Sequence, residues 1–190
     1  YGFTVSMVGL TEETLESAQA KIARNLDRQV KKELLSVADK VETLKRISLS
    51  TELKNAVAAA DLIVEAVSEN NAVKRKIFEQ IDRWAPEECI LASNTSSLSI
   101  TTLAAYTKRP EKVIGMHFMN PVPVMRLVEI IKGHSTSSST VSSIEALTKK
   151  IEKVPLVAAD YPGFVANRIL LPMINEAIEA LFQGVADVVT

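Results

Sequence analysis

Short apolar runs that stop in polar clusters, with helix-patterned stretches between them, alternate along this chain and leave few folds open. Residues 62–67 (Leu-Ile-Val-Glu-Ala-Val) and 89–92 (Cys-Ile-Leu-Ala) are such runs, and the second breaks off into Ser93-Asn94-Thr95-Ser96-Ser97. The unbroken start of the first reads as a strand covered on both faces. Residues 3–8, 46–50, 113–118, 127–131 and 156–158 are read as further strands. Two prolines, Pro121 and Pro123, interrupt the pattern between the runs at 113–118 and 127–131. Between strands, apolar residues recur every three or four positions. Leu15, Ala18, Ile22, Leu26 and Val30 form the inward stripe of a helix capped by Thr11, and Val73, Ile77, Phe78 and Ile81 that of another. Helices are also expected at 37–45, 52–60, 100–106 and 140–153, with Ser135 to Ser139 as a solvated turn. Strand and helix in alternation predict an α/β domain with a doubly wound, mainly parallel sheet. After Tyr161-Pro162-Gly163 the rhythm ends. A long helix with Pro172 inside it follows, read as the first helix of an all-α domain. The division is placed as 1–160 and 161–190.

Composition narrows the function classes. The 190 residues, 47% hydrophobic and 24% charged, exclude collagen, disordered tails and disulfide miniproteins. With 22 Lys+Arg against 23 Asp+Glu the net charge is −1, so no global positive field exists to collect nucleic acid or anionic lipid. No apolar stretch approaches the roughly 20 residues that a membrane span needs. Cys89 is alone, which precludes an intrachain disulfide and fits a reducing compartment. The chain starts at Tyr1 and enters a strand almost at once, so a preceding segment, targeting or otherwise, is expected.

In a doubly wound sheet, polar residues just past the carboxyl ends of strands face the ligand crevice. His117 ends an apolar run, twelve residues before Glu129 in the middle of another. Neighbouring strands could pair them as a base held in one tautomer by a carboxylate; alternatively His117 is a core histidine bonded to a backbone carbonyl. His134 is read as a surface residue. Asn94, Thr95, Ser96 and Ser97 suit holding a substrate hydroxyl or carbonyl oxygen, or else cap the next helix. Asn167 either closes over the crevice or makes an interdomain hydrogen bond. Glu69 and Lys74 are either a solvated pair or a contact to ribose or phosphate. A serine-hydrolase reading fails because Ser96 lacks a Gly-x-Ser-x-Gly elbow, and two distant histidines with one cysteine have no metal-ligand spacing.

Five motifs in order resemble one family: Val64-Glu65-Ala66-Val67-Ser68-Glu69-Asn70, Ala92-Ser93-Asn94-Thr95-Ser96-Ser97-Leu98, Gly115 to Pro123, Leu127-Val128-Glu129-Ile130, and Pro162-Gly163-Phe164-Val165-Ala166-Asn167-Arg168. Together they resemble the NAD-dependent L-3-hydroxyacyl-CoA dehydrogenases of the short-chain, 3-hydroxybutyryl-CoA type, across essentially the whole chain. The resemblance implies a Rossmann-like NAD-binding domain followed by a helical substrate and dimerisation domain. It implies oxidation of a 3-hydroxyacyl-CoA with NAD, in a soluble homodimer of the cytoplasm or mitochondrial matrix. His117 would be the general base and Glu129 its orienting acid, with Ser96 and Asn167 binding the reacting oxygen. Glu69, Lys74, Asn94, Ser96 and Asn120 match cofactor positions, and Asn25, Lys32 and Ser96 match positions that hold the coenzyme A substrate.

Two departures accompany the resemblance. The family's opening strand and Gly-x-Gly-x-x-Gly turn have no counterpart after Tyr1, and Gly9 stands where an acidic residue would bond the adenosine ribose. The chain is therefore read as an interior fragment, expected to have little or no activity alone. A non-catalytic crystallin-like relative, and a sugar-acid dehydrogenase of the gulonate type, are the alternative readings.

Overall fold

The alternation becomes layered α/β structure in a computed structural model that describes residues 1–189. In chain order its elements are β1 (Val5–Val8), α1 (Glu12–Lys31), α2 (Val37–Lys45), β2 (Ile47–Ser50), α3 (Leu53–Val57), β3 (Leu62–Glu65) and α4 (Asn71–Trp84). There follow β4 (Ile90–Ser93), α5 (Ile100–Ala104), β5 (Val113–Phe118), β6 (Leu127–Lys132), α6 (Ser138–Lys150), β7 (Val154–Ala159) and α7 (Ala166–Phe182). Strands β3 to β7 form one sheet in chain order, while β1 pairs only with β2 in a separate parallel ribbon.

Every ladder is parallel except β5–β6, so the expectation of a mainly parallel arrangement holds. The exception follows from chain length. A parallel return needs a crossover of about a dozen residues or more, and the proline-containing link between β5 and β6 is too short to supply one.

Alternate residues of the sheet feed two cores. Leu91, Val113 and Ile131 pack with Phe78, Ile81, Ile100 and Leu103, beneath α4 and α5. Ala92, Ile114, Met116, Val128 and Ile130 pack with Val141 and Ile144 of α6 on the other face. His117 and Glu129 share the parity of Val113 and Ile131, which sends both toward the first core.

Three local readings need correction. β3 is not covered on both faces: Val64 is 40% exposed, and among the described residues the strand lies at the edge of the sheet beside β4. In α4, Val73 points out and Lys74 points in, at the head of a buried stripe completed by Phe78 and Ile81. Of the serine run, Ser137 caps α6 and the next two residues begin it. Helix α7 is continuous through Pro172, with none of its residues buried. No helix among the described residues is long and apolar enough to cross a membrane.

Candidate active site

Direct cross-strand pairing builds the centre of the site. His117 on β5 stands opposite Glu129 on β6, and Glu129 Oε2 lies 2.8 Å from His117 Nδ1. The alternative of a core histidine bonded to a backbone carbonyl is thereby replaced. Glu129 is fully buried, and its other oxygen accepts hydrogen bonds from the backbone N–H groups of Val165 and Ala166, at 2.9 and 2.8 Å. A buried carboxylate with three donors is satisfied as an anion. Because a carboxylate only accepts, Nδ1 of a neutral His117 must carry the proton, leaving the Nε2 lone pair free. Ser96 Oγ lies 3.0 Å from that Nε2. Phe164, with φ of 51°, packs its edge against the imidazole at 5.8 Å between centroids. The imidazole is thus held at both nitrogens and along one side.

The loop after β4 places Ser96. Thr95 and Ser96 do not cap α5; that cap is Ser99. Thr95 Oγ1 instead accepts from the N–H groups of Ser97 and Leu98, folding the loop on itself. Asn94 ties the ends of two strands together, its Oδ1 accepting from the Phe118 N–H at 2.9 Å. Glu69 Oε1 accepts from Thr95 Oγ1 at 2.6 Å and from the Ser96 N–H at 2.7 Å. Burial pushes the Glu69 carboxyl up, but the hydrogen bonds from Thr95, Ser96 and Lys74 outweigh it and hold it below the usual carboxylate range.

Lys74 and Glu69 are not the solvated pair that one reading of the sequence allowed. Lys74 is 1% exposed and bonds Glu65 at 2.7 Å as well as Glu69 at 3.2 Å. Glu65 is a residue that sequence reasoning missed. The signal was a carboxylate inside an apolar run, at the last position of β3.

Asp160 was missed too. Its carboxylate receives Ser99 Oγ at 2.7 Å and the N–H groups of Ile100 and Thr101 at 3.1 and 2.8 Å, so it anchors the start of α5 directly behind the Ser96 loop. Lys153 is the third. Its ammonium donates to the carbonyls of Val122 and Met125, each at 2.7 Å, and fixes the link that begins near Asn120. Burial lowers the Lys153 pKa.

The remaining expected residues lie apart from this cluster or at its rim. Asn120 is exposed beyond the end of β5, and Asn167 is half-buried in the first turn of α7. Asn167 makes no side-chain hydrogen bond with a described residue, so the interdomain bond considered for it is not formed. Asn25 is half-buried on α1 and Lys32 exposed at its C-terminal cap; neither joins the hydrogen-bond network around His117. Gly9 follows β1, and a Cβ there would lie 2.8 Å from Leu15 Cγ. Ser96, Ser97 and Asn120 present hydroxyl and amide groups at strand ends, a donor set suited to the ribose and carboxamide of a nicotinamide nucleotide.

Comparison with known proteins gives consistent results. The family model described as 3-hydroxyacyl-CoA dehydrogenase, NAD binding domain, matches residues 1–161, and that of the C-terminal domain matches residues 163–190. The probable 3-hydroxybutyryl-CoA dehydrogenase of Bacillus subtilis is 47% identical over 185 residues, covering 97% of this chain and 64% of that protein. Mitochondrial hydroxyacyl-coenzyme A dehydrogenase of Homo sapiens is 42% identical over 188 residues, covering 96% of the chain and 60% of that protein. The crystal structure of (S)-3-hydroxybutyryl-CoA dehydrogenase PaaH1 from Ralstonia eutropha superposes with a TM-score of 0.94 at 49% identity, over 97% of this chain and 65% of that one. The chain therefore spans somewhat less than two thirds of these relatives.

Proposed function

The chain belongs to the 3-hydroxyacyl-CoA dehydrogenase family, and on that premise we propose that the whole protein oxidises a (3S)-3-hydroxyacyl-CoA to the 3-oxoacyl-CoA with NAD. The observation that carries this reading is the line Ser96–His117–Glu129, with spacings of 3.0 and 2.8 Å. Held by Glu129, His117 Nε2 takes the proton of the substrate 3-hydroxyl. Ser96 Oγ, beside the same nitrogen, and Asn167 hold the oxygen as its bond order changes. Bound NAD supplies the hydride acceptor for C3. The chain's part is to fix the base, orient the oxygen and keep the proton on a defined atom.

Glu69, Lys74, Asn94, Ser96 and Asn120 are assigned to the cofactor crevice. Asn25 and Lys32, with Ser96, are assigned to the coenzyme A substrate; an exposed ammonium suits its phosphates. Residues 1–160 are assigned to the NAD-binding domain and 161–190 to the start of a helical domain, a division supported by the meeting of the two family models near residue 162. A homodimer in the cytoplasm or mitochondrial matrix completes the reading.

The test is NADH production from 3-hydroxybutyryl-CoA by the whole protein and its His117→Gln variant. The variant is expected to lose about 100-fold or more in kcat, the range set by general-base catalysis. Equal rates would remove His117 from the reaction.

A further inference from the structure

Phe164 combines two features that ordinarily oppose each other. Its backbone is left-handed, at φ 51°, where the Cβ of an L residue crowds the neighbouring carbonyl oxygen, yet it carries a large ring, 4% exposed and packed in the first core. A bulky residue at positive φ is uncommon and persists only where its surroundings over-determine it. Here they do. The Phe164 N–H donates to the Tyr161 carbonyl at 2.9 Å, and the Arg168 N–H closes on the Gly163 carbonyl at 3.0 Å. Asp160, at the head of the same segment, is tied to the start of α5 by three hydrogen bonds.

The turn makes several groups converge. Its ring reaches His117, and the next two N–H groups, of Val165 and Ala166, reach one oxygen of Glu129. His117 and Glu129 are cross-strand neighbours, so a single turn touches both members of the pair. A left-handed residue followed by a right-handed one, Val165 at φ −102° and ψ −53°, is the arrangement whose successive N–H groups form an anion-binding hollow. The anion in this hollow is Glu129. Val165 has no side-chain acceptor with which to cap α7, so the carboxylate also takes donors that the helix start leaves free. An ordinary negative φ at Phe164 would rotate the chain by more than about 100°. Ring and N–H groups could not then both keep their partners.

We infer that Phe164 is a positioning residue for the His117–Glu129 pair, acting through the handedness of its backbone and not through the bulk of its ring. The left-handed turn seats the carboxylate, and the seated carboxylate keeps the proton on His117 Nδ1. The inference rests on the dehydrogenase reading only for the reaction that His117 serves.

Two isomeric replacements in the whole protein separate this role from plain core packing. Phe164→Leu and Phe164→Ile introduce the same atoms, but branching at Cβ makes positive φ far less accessible to isoleucine. The amide proton shifts of Val165 and Ala166, read by NMR, are expected to stay near wild type in the leucine variant and to lose their carboxylate-bonded position in the isoleucine variant. The ring nitrogen shifts of His117 should follow, moving in the isoleucine variant toward those of Glu129→Gln. With 3-hydroxybutyryl-CoA, kcat is expected to be about tenfold or more lower for isoleucine than for leucine, with KM within about twofold between them. In a Glu129→Gln background the difference in kcat between the two should vanish, because both changes act on one path.

Amide shifts or kcat values alike in the two isomers would overturn the inference and leave Phe164 a core residue; so would a kcat difference that survives Glu129→Gln. Should isoleucine prevent folding, Phe164→Gly and Phe164→Ala decide. Glycine adopts positive φ freely, so it is expected to keep the Val165 and Ala166 shifts better than alanine, whereas packing would favour alanine for its extra methyl group. Alanine equal to or better than glycine would therefore overturn the inference too. If the wild-type protein turned over no 3-hydroxyacyl-CoA, the dehydrogenase reading would fail while the amide shifts still decided this one.

Discussion

His117 and Glu129 face each other across the one antiparallel junction of the five-stranded sheet, in direct register and 2.8 Å apart at Nδ1 and Oε2. Their relation is fixed by the strand pairing itself, before any side chain chooses a rotamer. A flexible loop is not needed to bring them together.

Replacing Glu129 by Gln tests what the charge contributes. The amide oxygen can still serve the N–H groups of Val165 and Ala166, which turns the NH2 toward His117 Nδ1. That nitrogen must then accept, its proton moves to Nε2, and the base loses its lone pair. The expected result is a fall in kcat of about 100-fold or more, with the melting temperature little changed. Steady-state oxidation of 3-hydroxybutyryl-CoA, alongside a thermal melt, measures both; wild-type turnover would contradict the tautomer argument.

Gly115 lets β5 and β6 approach closely two residues before His117. A Cβ at this position would lie 2.7 Å from Ile131 Cβ and 3.1 Å from Ile100. Gly115→Ala therefore forces the strands apart at the step next to the His117–Glu129 pair. A loss of about 1–3 kcal/mol in urea unfolding is expected, the usual cost of overpacking, together with reduced kcat. Unchanged stability would mean that the ladder absorbs the methyl group without moving.

Asp160 gives the fold an acid-sensitive anchor. Burial raises its pKa, but the bonds from Thr101, Ser99 and Ile100 outweigh that and hold it below the ordinary carboxylate range. A group whose folded value is depressed contributes fully above its unfolded pKa and loses that contribution as pH falls through the folded value. Wild type should exceed Asp160→Ala by about 1 kcal/mol near neutral pH, in line with a lost helix cap. Urea titrations repeated toward about pH 3 should show that gap closing; a gap that widened would reverse the sign argued here.

Cys89 should be inert while the protein is folded. It is 1% exposed, and burial pushes its thiol up to about 11. Since the thiolate is the reactive form, a disulfide reagent at mildly alkaline pH is expected to label it only at the rate of unfolding and promptly in urea. Rapid labelling of native protein would show that the core containing Phe78 and Leu91 opens readily.

The legible parts of the molecule were those where one residue type carries one meaning. Apolar runs at 90–92 and 113–118 read as strands, and Thr11 before two glutamates as the start of a helix, and both readings hold. His117 and Glu129 were visible as candidates, but their spacing along the chain could not separate a pair from a solitary core histidine. The link through Pro121 and Pro123 is too short for a parallel crossover, and the antiparallel register seen in the structure is what sets the two opposite each other. Lys74 was illegible for a different reason. Hydrophobic periodicity counts a lysine as outward and a valine as inward, whereas two carboxylates at the end of β3 and beyond it turned Lys74 in and Val73 out. Asp160 was equally hidden, because a carboxylate that caps a helix sixty residues earlier leaves no local pattern.

The two backbone N–H groups that hold Glu129 belong to residues at the very entrance to α7. Rotating that helix as a rigid rod would strip the carboxylate of two of its three donors and loosen its hold on the imidazole in one motion. The readiness of the base to accept a proton is therefore mechanically linked to where the helical region rests on the sheet.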